Sequence, residues 1–250
     1  MERACAVLCA FSAAEPQLSL RELSERAGLP KATVHRLAGS LVATGFMEHR
    51  DDGHYSLGLR LSELGALVRS DLDVVGVCSS VLDAVSAATN ETVLLGAVDW
   101  DALELTIVGA RVSPQTLSVA PMTGQRLTIP PGAPGKALLS GLPEAEAESV
   151  LARLPLPALT GKTHTDRALL VSEIAEARRL GFAIAEDEYL DGVSGVAVPV
   201  MFEGGRPRAA IGVVGPSSRM AGQLDRIGKL LLELTAGVRP WHKQPSEAVA

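Results

Sequence analysis

Residues 18–46 read LSLRELSERAGLPKATVHRLAGSLVATGF, and the N-terminal fold turns on this stretch. Ser19 stands before a run with Leu20, Leu23 and Ala27 at helical spacing, and Glu22 follows it by three residues. That is the pattern of an N-cap in a capping box. Gly28 comes next and permits the positive φ of a tight turn. A second helix is expected from about Lys31 to Thr44, with Val34, Leu37 and Leu41 inward and Gly45 closing it. Apolar side chains at Leu23, Ala27, Leu29, Val34 and Leu37 would clamp the two helices at a steep angle, as a helix-turn-helix requires. The free side of the second helix then carries Lys31, Ala32, Thr33, His35 and Arg36 near its N-terminus, where such a motif touches base edges.

Upstream, residues 3–13 read as a helix with Val7, Leu8 and Phe11 on one apolar face, and AEPQ breaks it. Downstream, Phe46 and Met47 begin a strand, Asp52-Gly53 is a turn signal, and His54 to Leu57 return. A hairpin directly after a recognition helix is a wing. Arg50 and His54 on it, with Ser19, are placed to meet phosphates. The alternative is a three-helix protein-interaction domain that carries a hairpin, and the outward Lys, Thr, His and Arg argue for DNA instead.

The chain has 250 residues and a net charge of −6. Its charge is divided unevenly: residues 1–70 hold 8 Lys+Arg against 8 Asp+Glu, and residues 71–250 hold 15 against 21. The acidic part would repel phosphates and the N-terminal part would not, so DNA binding is permitted at that end. No run of about 18 apolar residues occurs, so no membrane span is expected, and the N-terminus lacks a signal-peptide pattern. Cys5, Cys9 and Cys78 match neither metal-ligand spacing nor a disulfide framework. Cys5 and Cys9, one turn apart among apolar neighbours, are expected in the core. A reducing, cytoplasmic setting follows from this cysteine usage.

Residues 58–69, GLRLSELGALVR, read as a helix with Leu59, Leu61, Leu64, Leu67 and Val68 apolar. It is too apolar to stand alone, and a second copy is the simplest partner. A further helix is expected over 74–88. The period then changes to two, giving strands at Thr92–Asp99, Ala102–Ala110 and Leu117–Ala120. Short helices should follow Pro134 and Pro143. A long one should begin at Thr165-Asp166, with Leu169, Leu170, Ile174, Ala177 and Leu180 as its stripe and Gly181 at its end. Strands at Phe182–Glu186, Val193–Phe202 and Ala209–Gly215, the last two joined at Gly204-Gly205, precede a final helix over 221–238. The expected class is α+β, an antiparallel sheet with flanking helices. The expected division is 1–57 for the winged helix-turn-helix, 58–73 for a linker helix and 74–250 for the larger domain.

Catalytic signatures are weak. Glu186, Asp187, Glu188 and Asp191 read as a solvated turn, with no neighbouring His or Lys in sequence to complete a pair. His164 and Asp166 read as a helix entry. Ser140 and Ser194 lack a G-x-S-x-G context, Lys136 lacks a phosphate loop, and no His/Cys cluster has zinc spacing. No catalytic residue, metal ligand or cofactor is expected.

Several blocks together resemble the IclR family of regulators over nearly the whole length: residues 18–46, HYSLGLRLSELG at 54–65, GKALLS at 135–140, 160–165 with His164, RRLGFAIAEDEYLDGVSGVAVPV at 178–200 and AAIGVVGPSSR at 209–219. The resemblance implies a DNA-binding winged helix, a dimerising linker helix and a GAF-like effector-binding domain, in a repressor or activator that works as a homodimer or dimer of dimers on double-stranded operator DNA. Some relatives hold zinc in the larger domain, and no ligand set here requires it. The resemblance also implies an effector pocket lined by Thr116, Val119, Ala133, Pro134, Ala185, Gly195, Gly212 and Val214. Members that take small keto acids have an acidic residue, a cysteine and two serines where this chain has Ala185, Gly195, Gly212 and Val214. A desolvated keto acid needs donors, so a larger, more apolar effector is expected, aromatic or lipid-like, with Thr116 and backbone groups as polar anchors. The second reading is an enzyme of GAF-like fold joined to a DNA-binding module.

Overall fold

The computed structural model describes residues 1–12, 15–71, 74–201 and 205–238, with the side chains of 68–71 excluded. The chain forms two compact units, Met1–Leu72 and Asp73–Ala250. The expected features at Ala13, the Val68 side chain, Phe202 and Gly204 lie outside the described residues.

The first unit runs α1 (Glu2–Leu8), β1 (Gln17–Leu18), α2 (Leu20–Ala27), α3 (Lys31–Ala43), β2 (Met47–His49), β3 (Tyr55–Leu57) and α4 (Leu59–Asp71). The capping box is formed at α2: Ser19 Oγ accepts from Glu22 N at 3.3 Å, and Glu22 Oε2 accepts from Ser19 N at 2.7 Å. Gly28 ends that helix at φ 64, and Ser24 Oγ donates to Leu29 O at 2.6 Å, which fixes the turn into α3. Val7, Leu18, Leu23, Val34, Ala38, Met47 and Tyr55 make the core under these helices.

Two expectations fail here. The first helix stops at Leu8, because Ser12 and Glu15 exchange backbone hydrogen bonds and Ser12 Oγ accepts from Glu15 N at 3.2 Å, closing a turn that competes with the helix. Cys5 and Cys9 are exposed rather than packed, since α1 turns its Val7 face inward and they fall away from it. The wing also gains a strand, for Gln17–Leu18 pairs with β3 and gives the order β1-β3-β2.

The second unit runs α5 (Val74–Thr89), β4 (Thr92–Asp99), β5 (Glu104–Arg111), β6 (Arg126–Thr128), α6 (Ala133–Ser140), α7 (Glu144–Arg153), α8 (Arg167–Leu180), β7 (Ala183–Glu186), β8 (Val193–Met201), β9 (Pro207–Pro216), α9 (Ser217–Met220) and α10 (Leu224–Thr235). The strands form one antiparallel sheet, β6-β5-β4-β9-β8-β7, so the class is α+β. Both faces are covered. Val93 and Leu95 of β4 point to one side, with Cys78 and Leu82 of α5 and Ile227 and Leu231 of α10. Leu94 points to the other, with Leu138 and Leu139 of α6, Leu151 of α7 and Leu170 and Ile174 of α8. This is the period-two alternation of a sheet buried on both faces.

Helix α6 is buried at all eight positions. It can lie this close because alanines face alanines: Ala133 and Ala137 meet Ala183, Ala185 and Ala197. Gly135 is required for the same reason, since a Cβ there would stand 3.0 Å from Pro130 O.

Leu117–Ala120 is not a strand. The third strand of that edge is Arg126–Thr128, and Leu117 is 66% exposed in a loop tied down where Thr92 Oγ1 donates to Val119 O at 2.6 Å. Leu169 is exposed as well, leaving Leu170, Ile174 and Ala177 as the buried stripe of α8. The helix expected over 221–238 is shorter, running from Leu224 to Thr235 as α10, and a separate short helix α9 precedes it, with Gly222 between them at a φ of 72.

Candidate functional site

In the first unit Lys31, Ala32, His35 and Arg36 are exposed and Thr33 is half-buried, while Val34 and Ala38 face the core. The charges around them sort into two groups. Arg21, Arg26 and Arg60 are held in ion pairs with Glu25, Glu15 and Glu63. Lys31, Arg36 and Arg50, and Arg3 on α1, enter no ion pair with a described residue. Pro30 precedes α3 without a side-chain cap, so the first N–H groups of the helix stay open on the same side. On the wing, Arg50 is exposed at the hairpin end. His54 is half-buried beside Asp52, whose Oδ1 accepts the His54 backbone N–H at 3.0 Å and lies 3.4 Å from Nδ1. Ser19 spends its hydroxyl on the capping box.

In the second unit a cavity of about 290 Å³ opens between the sheet and the start of α6. Its walls are mostly apolar: Leu94, Leu105, Ile107, Val119, Pro121, Leu127, Ala133, Pro134 and Val214. Six of the eight positions expected from the resemblance come together there, namely Val119, Ala133, Pro134, Ala185, Gly195 and Val214. The other two do not. Thr116 is exposed in the loop after β5. Gly212 is covered and does not line the cavity: a Cβ there would sit in ordinary contact, 3.4 Å from Pro134 Cγ and 3.4 Å from Leu94 Cδ1. Gly195 lines the wall but is also tightly packed, with Val214 Cγ1 at 2.9 Å from its would-be Cβ.

The polar part of the site lies where the sequence suggests only a solvated turn. Glu188 is 5% exposed, on the cavity wall. Its Oε1 accepts from Lys136 Nζ at 2.7 Å, and Lys136 is itself only 3% exposed. Lys136 Nζ also lies 3.5 Å from Glu173 Oε2, and Glu173 Oε1 is 2.7 Å from His164 Nδ1. The turn that carries Glu188 is held from outside. Thr160 Oγ1 donates to Asp187 O at 2.7 Å, and Thr163 Oγ1 donates to Glu188 O at 2.6 Å. Asp187 takes a left-handed φ of 59, a conformation that Asp adopts more readily than most residues. Its carboxylate pairs with Lys162 at 2.6 Å and accepts from Ser217, and these bonds hold it below the usual carboxylate range. Ser194 Oγ lies 2.8 Å from Ser217 Oγ and on the cavity. Burial raises the Tyr189 hydroxyl beside them.

His164, Glu173 and Glu188 have ligand atoms within 4.8 Å of one another, the one such group among the described residues. The ammonium of Lys136 already stands between the two carboxylates, so this cluster is supplied with its cation. A more open and polar cleft of about 700 Å³ is lined by all four members of this network, Lys136, His164, Glu173 and Glu188.

Two family models match in the same order as these units: the IclR helix-turn-helix domain over residues 1–51, and the bacterial transcriptional regulator IclR C-terminal domain over residues 66–239. The chain belongs to the IclR family. It is 30% identical over 222 residues to the HTH-type transcriptional regulator XynR of Escherichia coli, covering 88% of this chain and 87% of that one. It is 28% identical over 214 residues to the acetate operon repressor of Salmonella typhimurium, covering 85% and 77%. Among solved structures, an IclR homolog from Microbacterium hydrocarbonoxydans, crystallised with 4-hydroxybenzoate, has a TM-score of 0.83 and 26% identity, covering 95% and 96%. This IclR-family chain is a DNA-binding transcriptional regulator with an effector-binding C-terminal domain. Among its described residues no helix is long and apolar enough to cross a membrane.

Proposed function

We propose that the chain is a cytoplasmic repressor that grips operator DNA through α3 and the wing and that an apolar small molecule in the 290 Å³ cavity sets its affinity. One observation carries the DNA side. Of the four described side-chain cations of the first unit that enter no ion pair, Lys31, Arg36 and Arg50 stand on α3 and the hairpin and Arg3 lies on α1, while Arg21, Arg26 and Arg60 are already neutralised. Thr33 and His35 add hydrogen-bonding groups on that face, and Ala32 offers an apolar contact. Ser19 and His54 serve chiefly to hold the helix start and the wing turn, close to where phosphates would run.

The protein works as a homodimer or a dimer of dimers. Leu59 and Leu64 of α4 are exposed, Leu59 by 70%, and a second copy would cover them. A net-neutral reading head attracts DNA weakly, so two heads on one near-palindrome are needed for useful affinity.

The cavity is small for a ligand pocket, where about 300–1,000 Å³ is usual. It suits a single-ring compound. On this reading the domain is a binding module that uses no cofactor and turns nothing over, in keeping with its similarity to transcriptional regulators. The test is selection of duplexes from a random library by the full chain, then footprinting of the winner with and without single-ring metabolites. A symmetric site whose protection shifts with one of them is expected. Sequence-independent binding, or turnover of the compound, would overturn the proposal.

A further inference from the structure

We infer that Glu188 selects the effector: the cavity takes a neutral single-ring molecule that donates a hydrogen bond to the Glu188 carboxylate, and it rejects the matching carboxylic acid anion. This deepens the reading of the cavity as the effector site and rests on it. Glu188 and Tyr189 are the ionisable side chains on the described lining. One oxygen of Glu188 is taken by Lys136, and the other accepts no hydrogen bond from a described residue. That oxygen is not among the buried polar atoms left without a partner, so it borders space that water or a ligand can reach, and a carboxylate that can accept about four bonds is there a ready acceptor for a ligand hydroxyl or N–H.

The charge count decides against an anion. Lys136 faces two carboxylates at 2.7 and 3.5 Å, so it has no charge to spare for a third. A ligand carboxylate in this cavity would be desolvated beside Glu188 with no cation to match it. A neutral donor such as the Tyr189 hydroxyl does not offset that.

The support around Glu188 is what a recognition group needs. Two threonine hydroxyls hold its turn, Asp187 is pinned by Lys162 and Ser217, and Lys136 fixes the carboxylate itself. Groups held this firmly set a ligand's orientation at little cost in conformational freedom.

Calorimetry on the full chain with three probes tests the inference: methyl 4-hydroxybenzoate, methyl 4-methoxybenzoate and 4-hydroxybenzoate. The phenol ester should bind at least tenfold more tightly than either of the others. In Glu188→Gln, which keeps the shape and an acceptor for Lys136, the preference for phenol over ether should shrink severalfold and the anion should gain on its ester. A wild-type chain that binds the anion more tightly than the ester overturns the inference, with no variant needed. So does an unchanged ranking in folded Glu188→Gln, or no binding of any probe at millimolar concentration. Val214→Phe, which fills the cavity, separates the two levels. If it abolishes binding of a preferred anion, only the choice of ligand falls; if it leaves all affinities unaltered, the cavity itself is not the effector site.

Discussion

Replacing Lys136 with Met keeps most of the side-chain volume and removes the charge. The structure sets the size of the effect. Lys136 and Glu188 are 3% and 5% exposed, so the carboxylate left behind has almost no water to turn to. Breaking a buried pair in this way costs about 3–5 kcal/mol. Glu173, about a quarter exposed, loses its second contact to Lys136 and can relax toward solvent, which keeps the total within that range. For a unit of 150–250 residues, about 2–4 °C is lost per kcal/mol, so the C-terminal transition should fall by about 6–20 °C. The double variant Lys136→Met, Glu188→Gln removes the stranded charge and should recover at least half of the loss. Scanning calorimetry of the four proteins in the cycle gives the coupling energy, expected above about 2 kcal/mol for contacting residues. A loss below about 1 kcal/mol in Lys136→Met would show that the pair is solvated and that Glu188 is not a buried recognition group.

Other outcomes follow from single contacts. Ser19→Ala deletes the cap of α2 and should cost the N-terminal unit about 1 kcal/mol, read by urea denaturation. Lys162 and Ser217 hold the Asp187 carboxyl below its usual range. The stabilisation this gives is therefore present above the ordinary carboxylate pKa and is lost as pH falls through the folded value. Asp187→Asn, which tolerates the left-handed backbone, should lower the melting temperature at pH 7 and flatten its fall between about pH 5 and 3. Of the three cysteines, exposed Cys5 and Cys9 should react rapidly with a thiol reagent at pH 8, while Cys78, whose thiol burial pushes up to about 11, should react only on unfolding. Three fast thiols in the native chain would contradict the packing of α5.

The parts written in local spacing were readable in advance. Ser19 with Glu22 and Gly28 at the bend are short-range signals found in their expected roles, and the start of α8 is one residue later than expected, with Asp166 itself as the cap. Strand β4 keeps the bounds its alternation implies, Thr92–Asp99. Which side of α3 turns inward was legible from Val34, although the structure buries Ala38 fully and leaves the expected Leu37 and Leu41 only half-buried. The rest depends on contacts distant in sequence. Glu188 reads as one acid among several in a turn until Lys136, 52 residues away, meets it. Gly212 reads as open space until Pro134 is seen to cover it. Strand β6 is three residues, too short to show a period, and the more apolar Leu117–Ala120 outweighed it in the pattern. Cys5 and Cys9 looked like core because their neighbours are apolar, yet a seven-residue helix buries only its Val7 side.

The central claim is that α3 reads DNA. It is tested most directly by anisotropy titration of a duplex selected by the full chain, with wild type and Arg36→Ala compared at one ionic strength. The side chain of Arg36 is exposed and serves no ion pair among described residues, so its loss should leave the fold intact. If Arg36 reads a base edge, affinity should fall by about 5- to 150-fold, the equivalent of about 1–3 kcal/mol. Equal affinity of the two proteins for the selected duplex would contradict the account.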